Sequence, residues 1–172
     1  MPPAVSVREN ALLNIVSTLE AVAAGANYNF TFEKVARVDG PFFQYLDESH
    51  NTLAFVEEGL TSWQPRTHSG LWMATIEVFI QVATAYEPDS NIPWEMTTDP
   101  KSTIRSKLIA DVVRALMADT TRGHYAKLGF LLTDDAPINL DGIDLDGRHL
   151  SDGWVAHELR FEMSIEVDED AP

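Results

Sequence analysis

Cysteine is absent from the 172 residues. That excludes disulfide cross-links, thiolate zinc sites, iron–sulfur clusters and thiol nucleophiles together. Basic residues are scarce, with 12 Lys and Arg against 27 Asp and Glu, for a formal charge of −15. This imbalance argues against a phosphate-tracking surface, because neutralising a nucleic acid takes clustered cations. Long apolar runs are also missing. None approaches the ~18 residues that suggest a membrane span, and the opening Met1-Pro2-Pro3-Ala4-Val5-Ser6 has no basic stretch leading into an apolar core. Synthesis in a cytoplasm, with no membrane partner, is therefore expected. Neither internal repeats nor low-complexity linkers break the chain, so a single domain over residues 1–172 is expected, with a frayed tail at about 168–172.

What is present is the composition of a folded domain: 45% hydrophobic and 23% charged residues, enough apolar material to build a core. Ser6 and Glu9 stand in capping-box spacing, and Leu12, Ile15, Val16, Leu19, Val22 and Ala23 recur behind them at helical spacing. A first helix follows, with Gly25 as its left-handed stop. Phe30, Phe32, Val35 and Val38 form a β-rich run closed by the turn signal Asp39-Gly40-Pro41. Phe42 to Leu46 reads as a short strand or an apolar loop. Leu53-Ala54-Phe55-Val56 reads as a strand ending at Gly59, and residues 60–70 and 87–98 read as loops.

Leu71 to Tyr86 predicts a long strand. Trp72, Ala74, Ile76, Val78, Ile80 and Val82 share one face, and Met73, Thr75, Glu77, Phe79, Gln81 and Ala83 share the other. A strand apolar on one face and half apolar on the other is central in its sheet or covered at a subunit contact. Asp99-Pro100 opens a second helix whose stripe is Ile104, Leu108, Ile109, Val112, Val113, Leu116 and Met117. Residues 99–128 carry six basic residues against three acidic ones, whereas residues 134–172 hold twelve acidic residues against Arg148 and Arg160. Within that acidic third, Trp154 to Val167 alternates as a one-sided antiparallel strand, with His157 the one polar member of its apolar face. The resulting expectation is an α+β fold, a mainly antiparallel sheet with long strands and two helices packed on one side.

Candidate chemical motifs fail on spacing. Asp141, Asp144 and Asp146 with Gly142 and Gly147 suggest a calcium loop, yet placing Gly147 at the sharp turn puts Gly142 at the first ligand position and Gly153 at the last. His50, His68, His124, His149 and His157 form no metal-binding pair at helical spacing, and Ser69 lacks the context of a nucleophile elbow. Walker and dinucleotide fingerprints are missing. No enzyme, metal or cofactor is expected. A monomeric ligand-binding module is the rival reading, but it needs polar groups converging among apolar walls, and the alternating faces offer only His157 and Glu77.

Three features carry a resemblance: the opening helix with Arg8, Ile15 and Leu19, the long strand beginning Leu71-Trp72-Met73, and the helix segment Leu108-Ile109-Ala110-Asp111-Val112-Val113-Arg114-Ala115-Leu116-Met117-Ala118-Asp119. In this order, spanning about residues 6 to 167, the chain resembles the tail-terminator (tail-completion) family of long-tailed bacteriophages and gene-transfer particles. The resemblance implies a non-enzymatic virion protein at the head–tail junction, made in the host cytoplasm. Such a protein assembles as a ring, usually of six subunits, caps the completed tail tube and joins it to the head. Its implied partners are copies of itself, the tail-tube protein and a head-completion or connector protein, with DNA only passing through the lumen. Other neck and tail-completion proteins share this architecture.

Two long strands of this kind each reach ~45–55 Å if fully extended, so they either bend at bulges or project as a ribbon that needs a partner. Trp63, Arg66, Trp94 and Met96 in the expected loops, with Trp72 and Phe79 on the long strand, are the candidate interface residues, being types that favour protein contacts.

Overall fold

A computed structural model describes residues 6–40, 42–46, 49–65, 71–86, 101–130, 136–138, 144–145, 148–149 and 153–168. Helix α1 spans Val7–Glu20, and Ser6 Oγ caps it by accepting from the Glu9 amide at 3.1 Å. Half of the expected capping box is thus formed. The Glu9 carboxylate instead receives Arg37 Nη1 at 2.6 Å. The expected stop at Gly25 is corrected: α1 ends at Ala21 in a right-handed conformation (φ −80°, ψ −6°), and Gly25 is not among the residues with positive φ. Val22 is still buried after the helix has ended, so the apolar stripe outlasts the hydrogen-bond ladder.

Strand β1 is Lys34–Val38, shorter than its sequence run. Phe30 and Phe32 precede it as anchors of the incoming loop, Phe32 buried and Phe30 packed against the core. Phe42–Tyr45 forms a 3-10 turn rather than a strand. Strand β2 runs Thr52–Pro65 and β3 runs Leu71–Ala85. Two expectations are corrected here: β2 does not stop at Gly59, and residues 60–65 are strand. A bulge between Glu58 and Thr61 absorbs the glycine and keeps the β2–β3 ladder going to Pro65↔Trp72.

Helix α2 is Lys101–Met117. Its expected cap, Asp99-Pro100, lies outside the described residues. Strand β4 (Lys127–Phe130) and the two-residue strands β5 (Ala136–Pro137), β6 (Asp144–Leu145) and β7 (Arg148–His149) lead to β8, Trp154–Asp168. The main sheet has the order β1-β2-β3-β8-β4, with β5 also on β8. Among the described pairings of this sheet only β1–β2 is parallel. This is the expected α+β fold.

Both helices lie on one face. Leu12, Ile15 and Leu19 of α1 and Leu108, Val112 and Leu116 of α2 share a core with Ile76, Val78, Ile80, Leu159, Phe161 and Met163. His157 falls on this covered face opposite Val82, and it is buried. The reverse face has a smaller apolar end, where Phe42 and Tyr45 lean on Phe55 with ring centroids 6.5 and 6.0 Å apart.

Two buried charged residues tie these parts together. Asp111 on α2 accepts from the Asn29 and Phe30 amides at 2.8 and 2.9 Å and from Asn29 Nδ2 at 2.8 Å. Arg122 donates to the Leu116 carbonyl at the end of α2 and to Thr18 Oγ1 of α1 at 3.3 Å. Burial pushes its guanidinium pKa down, and Asp119 opposes that shift. Arg122, Gly123 and His124 turn the chain with three successive positive φ angles. Asp119 pins that turn by accepting from the Thr121 hydroxyl at 2.6 Å and from the Thr121 and Gly123 amides at 2.9 and 2.8 Å, which hold its carboxyl down at about 2.

Candidate subunit interface

The sheet narrows toward one end. On one side β1 finishes at Val38, opposite Glu57 of β2. On the other, β4 begins at Lys127, opposite Ser164 of β8. Among the described residues, β2, β3 and β8 alone continue beyond these points, as a three-stranded ribbon out to Pro65, Leu71 and Asp168. Among the described residues, no strand pairs with the outer edge of β2 after Glu57. Leu60, 78% exposed, and Trp63, 51% exposed, are the most exposed large apolar side chains described, and both sit on that stretch. An edge strand with free backbone groups and uncovered apolar side chains is a template for another chain.

The bulge sits where the body becomes the ribbon. A Cβ on Gly59 would lie 2.5 Å from Phe79 Cε2 and 3.0 Å from Glu77 Cβ, so glycine is required for the close approach of β2 and β3. On the covered face, Glu58 pairs with Arg8 at the start of α1 and lies 3.6 Å from Arg37 Nη2 of β1. Those contacts tie helix, edge strand and bulge to one another.

The candidate residues divide between the two faces. Trp63 stands opposite Ala74, and Trp72 opposite Pro65 and Val167. Both therefore point to the helix side of the ribbon, diagonal to each other across two strands, within the reach of aromatic side chains. Phe79 is on the reverse face, half-buried beneath Gly59, with the Arg160 guanidinium 5.7 Å from its ring centre. It fills the bulge and is not grouped with the tryptophans. Arg66, Trp94 and Met96 lie outside the described residues, as do the expected loop 87–98 and the acidic positions Asp141 and Asp146. Leu60 was missed by sequence reasoning. Its only signal is an apolar residue directly after the glycine that mimics a strand end.

The reverse face also carries a polar row. Gln81 Nε2 donates to Glu57 at 2.9 Å and to Glu158 at 3.0 Å, joining β2, β3 and β8. Burial and the Glu158 charge raise the Glu57 pKa, Gln81 partly lowers it, and Asp39 adds to the rise. One row along, Arg160 pairs with Glu77. Among the described residues no group of three or more histidine or acidic side chains is placed to hold a metal. This arrangement supports contact between surfaces and assigns no reaction.

No protein-family model matches the chain, and no curated protein matches it in sequence.

Proposed function

We propose that this chain is a structural virion protein of the head–tail junction. In this reading it is a tail-terminator-like subunit that joins copies of itself in a ring, hexameric in the family it resembles. The ring caps the completed tail tube, stops its growth and offers the surface that meets the head. The observation that carries the reading is the ribbon. Among the described residues three strands outrun their neighbours, and the two most exposed large apolar side chains, Leu60 and Trp63, sit on the outer strand β2. Covering apolar surface contributes about 25 cal/mol per Å², and uncovered apolar patches rimmed by polar residues mark association sites. The order helix, strands, long strand, helix, long strand supports the same reading.

The charge of −15 suits a lumen that DNA traverses without sticking, since like charge keeps phosphates from settling. Non-specific binders reach roughly 10⁻⁴–10⁻⁶ M at physiological salt, and the free protein is expected to fall short of that range.

The test combines mass and complementation. Light scattering of the purified protein, alone and with isolated tail tubes, should reveal an assembly several times the 19.1 kDa chain or tube ends that carry it. Trp63→Ala should keep the thermal melt of the subunit while impairing assembly and the rescue of particles lacking this protein. A chain that stays monomeric even beside tube ends overturns the reading, and so does a ring that restores neither tail length nor head joining.

A further inference from the structure

The polar row on the reverse face lies where the body of the sheet gives way to the ribbon. Glu57 is the last β2 residue paired with β1, opposite Val38. It stands diagonal to Gln81 of β3, and Glu158 of β8 stands directly opposite Gln81. Gln81 Nε2 donates to Glu57 Oε2 at 2.9 Å and to Glu158 Oε2 at 3.0 Å. Gln81 itself is only 6% exposed, and its carbonyl Oε1 is buried without a hydrogen-bond partner. The two glutamates are half-buried, so solvent still reaches them.

We propose that the carboxylates of Glu57 and Glu158, with the Gln81 carbonyl, form a site for one hard divalent cation of the calcium class. The bound ion fastens β2, β3 and β8 together at the root of the ribbon. The site does not depend on the ring reading.

Three considerations select this ligand. Two carboxylates alone are not a metal site, and the third group here is a buried amide oxygen. Rotation about the Gln81 Cγ–Cδ bond brings Oε1 into the place of Nε2 between the carboxylates. Oε1 has no hydrogen bond to lose in that turn, and the cation replaces the two that Nε2 gives up. The row also lacks compensation. The charges that act on Glu57 are those of Glu158 and Asp39, and with burial they raise its pKa against the Gln81 hydrogen bond. Arg160, one row along, is paired with Glu77. Finally, the ligands come from three adjacent strands ~4.8 Å apart, an irregular oxygen set. Calcium accepts such a set and completes it with water, whereas magnesium demands a near-ideal octahedron.

Calcium chloride, titrated calorimetrically into the purified chain, tests the site. About 0.15 M KCl screens diffuse attraction to a protein of charge −15. One ion per chain is expected, with a dissociation constant on the order of 10⁻⁴–10⁻³ M. Gln81→Met keeps the side-chain length and removes the carbonyl, and Glu158→Gln removes one charge. Each should weaken binding about tenfold or more. Glu162→Gln, at an exposed position of the same face, should bind as the parent does. Thermal melts establish that each variant folds, and calcium should raise the melting temperature of the parent and of Glu162→Gln. In the parent the Gln81 side-chain NH₂ resonances should move on binding. Affinity should fall as pH is lowered toward 4.5, because Glu57 takes up its proton above that value.

Equal calcium binding by the parent and all three variants, matched by magnesium, is diffuse attraction to an acidic surface and overturns the inference. So does the absence of binding up to about 10 mM calcium. If Glu158→Gln abolishes binding while Gln81→Met keeps it, the carboxylates hold the ion without the amide, and the assignment of Gln81 is wrong. None of these results bears on assembly, which the mass measurement decides separately.

Discussion

Replacing Asp111 tests whether the long-range architecture has been understood. Its carboxylate is fully buried on α2 and holds the chain at Asn29 and Phe30, more than eighty positions away in sequence, through two backbone amides and one side-chain amide at 2.8–2.9 Å. Asp111→Ala takes the acceptor from these donors, of which the two on Asn29 stand at an exposed residue and the Phe30 amide at a half-buried one. A buried donor left unpaired costs about 1–3 kcal/mol. With water reaching the Asn29 donors, a loss of about 1–3 kcal/mol is expected, against a usual domain stability of about 5–15 kcal/mol. In a chain of this size that corresponds to a fall in melting temperature of about 2–12 °C.

Asp111→Asn keeps the shape and one acceptor but sets an NH₂ group against a donor, so an intermediate loss is expected. Urea titration supplies the measurement, with an unchanged slope showing that stability alone has moved. Hydrogen exchange at Asn29 and Phe30 locates the damage. The reasoning is refuted if Asp111→Ala costs less than about 0.5 kcal/mol, or if those two amides exchange as in the parent protein while stability falls.

Three further outcomes are expected. Phe161, fully buried on the covered face of β8, should cost about 3–5 kcal/mol on truncation to Ala. Its exposed neighbour Glu162 should cost within about 0.5 kcal/mol, and equal losses in denaturant titrations would disprove the strand register. Glu57 has a folded pKa raised above its ordinary value of 4.5 by burial and by Glu158. The folded state then binds the proton more tightly, so this group's contribution to stability falls as pH rises from about 4.5 through the raised value. Glu57→Gln should therefore melt slightly higher than the parent at pH 7, by under about 1 kcal/mol for a group still partly screened by solvent. That advantage should vanish near pH 4, and a gain that persists there refutes the assignment. Gly59→Ala should lose about 1–3 kcal/mol, because its new methyl meets Phe79 and Glu77. A melt identical to the parent would show that the bulge is looser than described.

What the sequence disclosed was whatever local periodicity and capping encode. Ser6 announces α1, and the alternation of Trp72 to Val82 and of Val155 to Val167 gives the two central strands nearly residue for residue. The outer half of β2 was hidden for a physical reason. Gly59, Ser62 and Pro65 are turn formers in isolation, and only the ladder supplied by β3 turns them into strand. Strand preference measures fit to neighbours more than an intrinsic tendency. Phe30 and Phe32 failed in the opposite sense: their alternation suggested strand, but Asp111 draws the Phe30 amide toward α2. Neither Asp111 nor Arg122 has a local signature, since a buried charge is recognised only through partners that the fold brings to it. The candidate interface was legible in part. Trp63 and Trp72 share a face as alternation requires once Trp63 is known to be strand, whereas Phe79 belongs to the opposite face by the same rule.

The composition of the β2 edge is itself an argument about how the chain is used. Monomeric proteins guard edge strands with charge, proline, bulges or a covering element. Here the guards stand at the ends of the exposed stretch: the bulge and the Glu58–Arg8 pair close one end, and Pro65 closes the other. Between them Thr61, Ser62, Trp63 and Gln64 carry no charge in a chain where 23% of residues are charged. The bulge also raises local twist and bends its strand, so residues 58–61 set the angle at which the ribbon leaves the body. A window bracketed in this way admits a strand of defined length and tilt, whereas a carelessly exposed edge would recruit any chain in any register. Under the proposed ring reading that selectivity would serve a subunit contact, and it resides in the sequence features that made residues 60–65 resemble a loop.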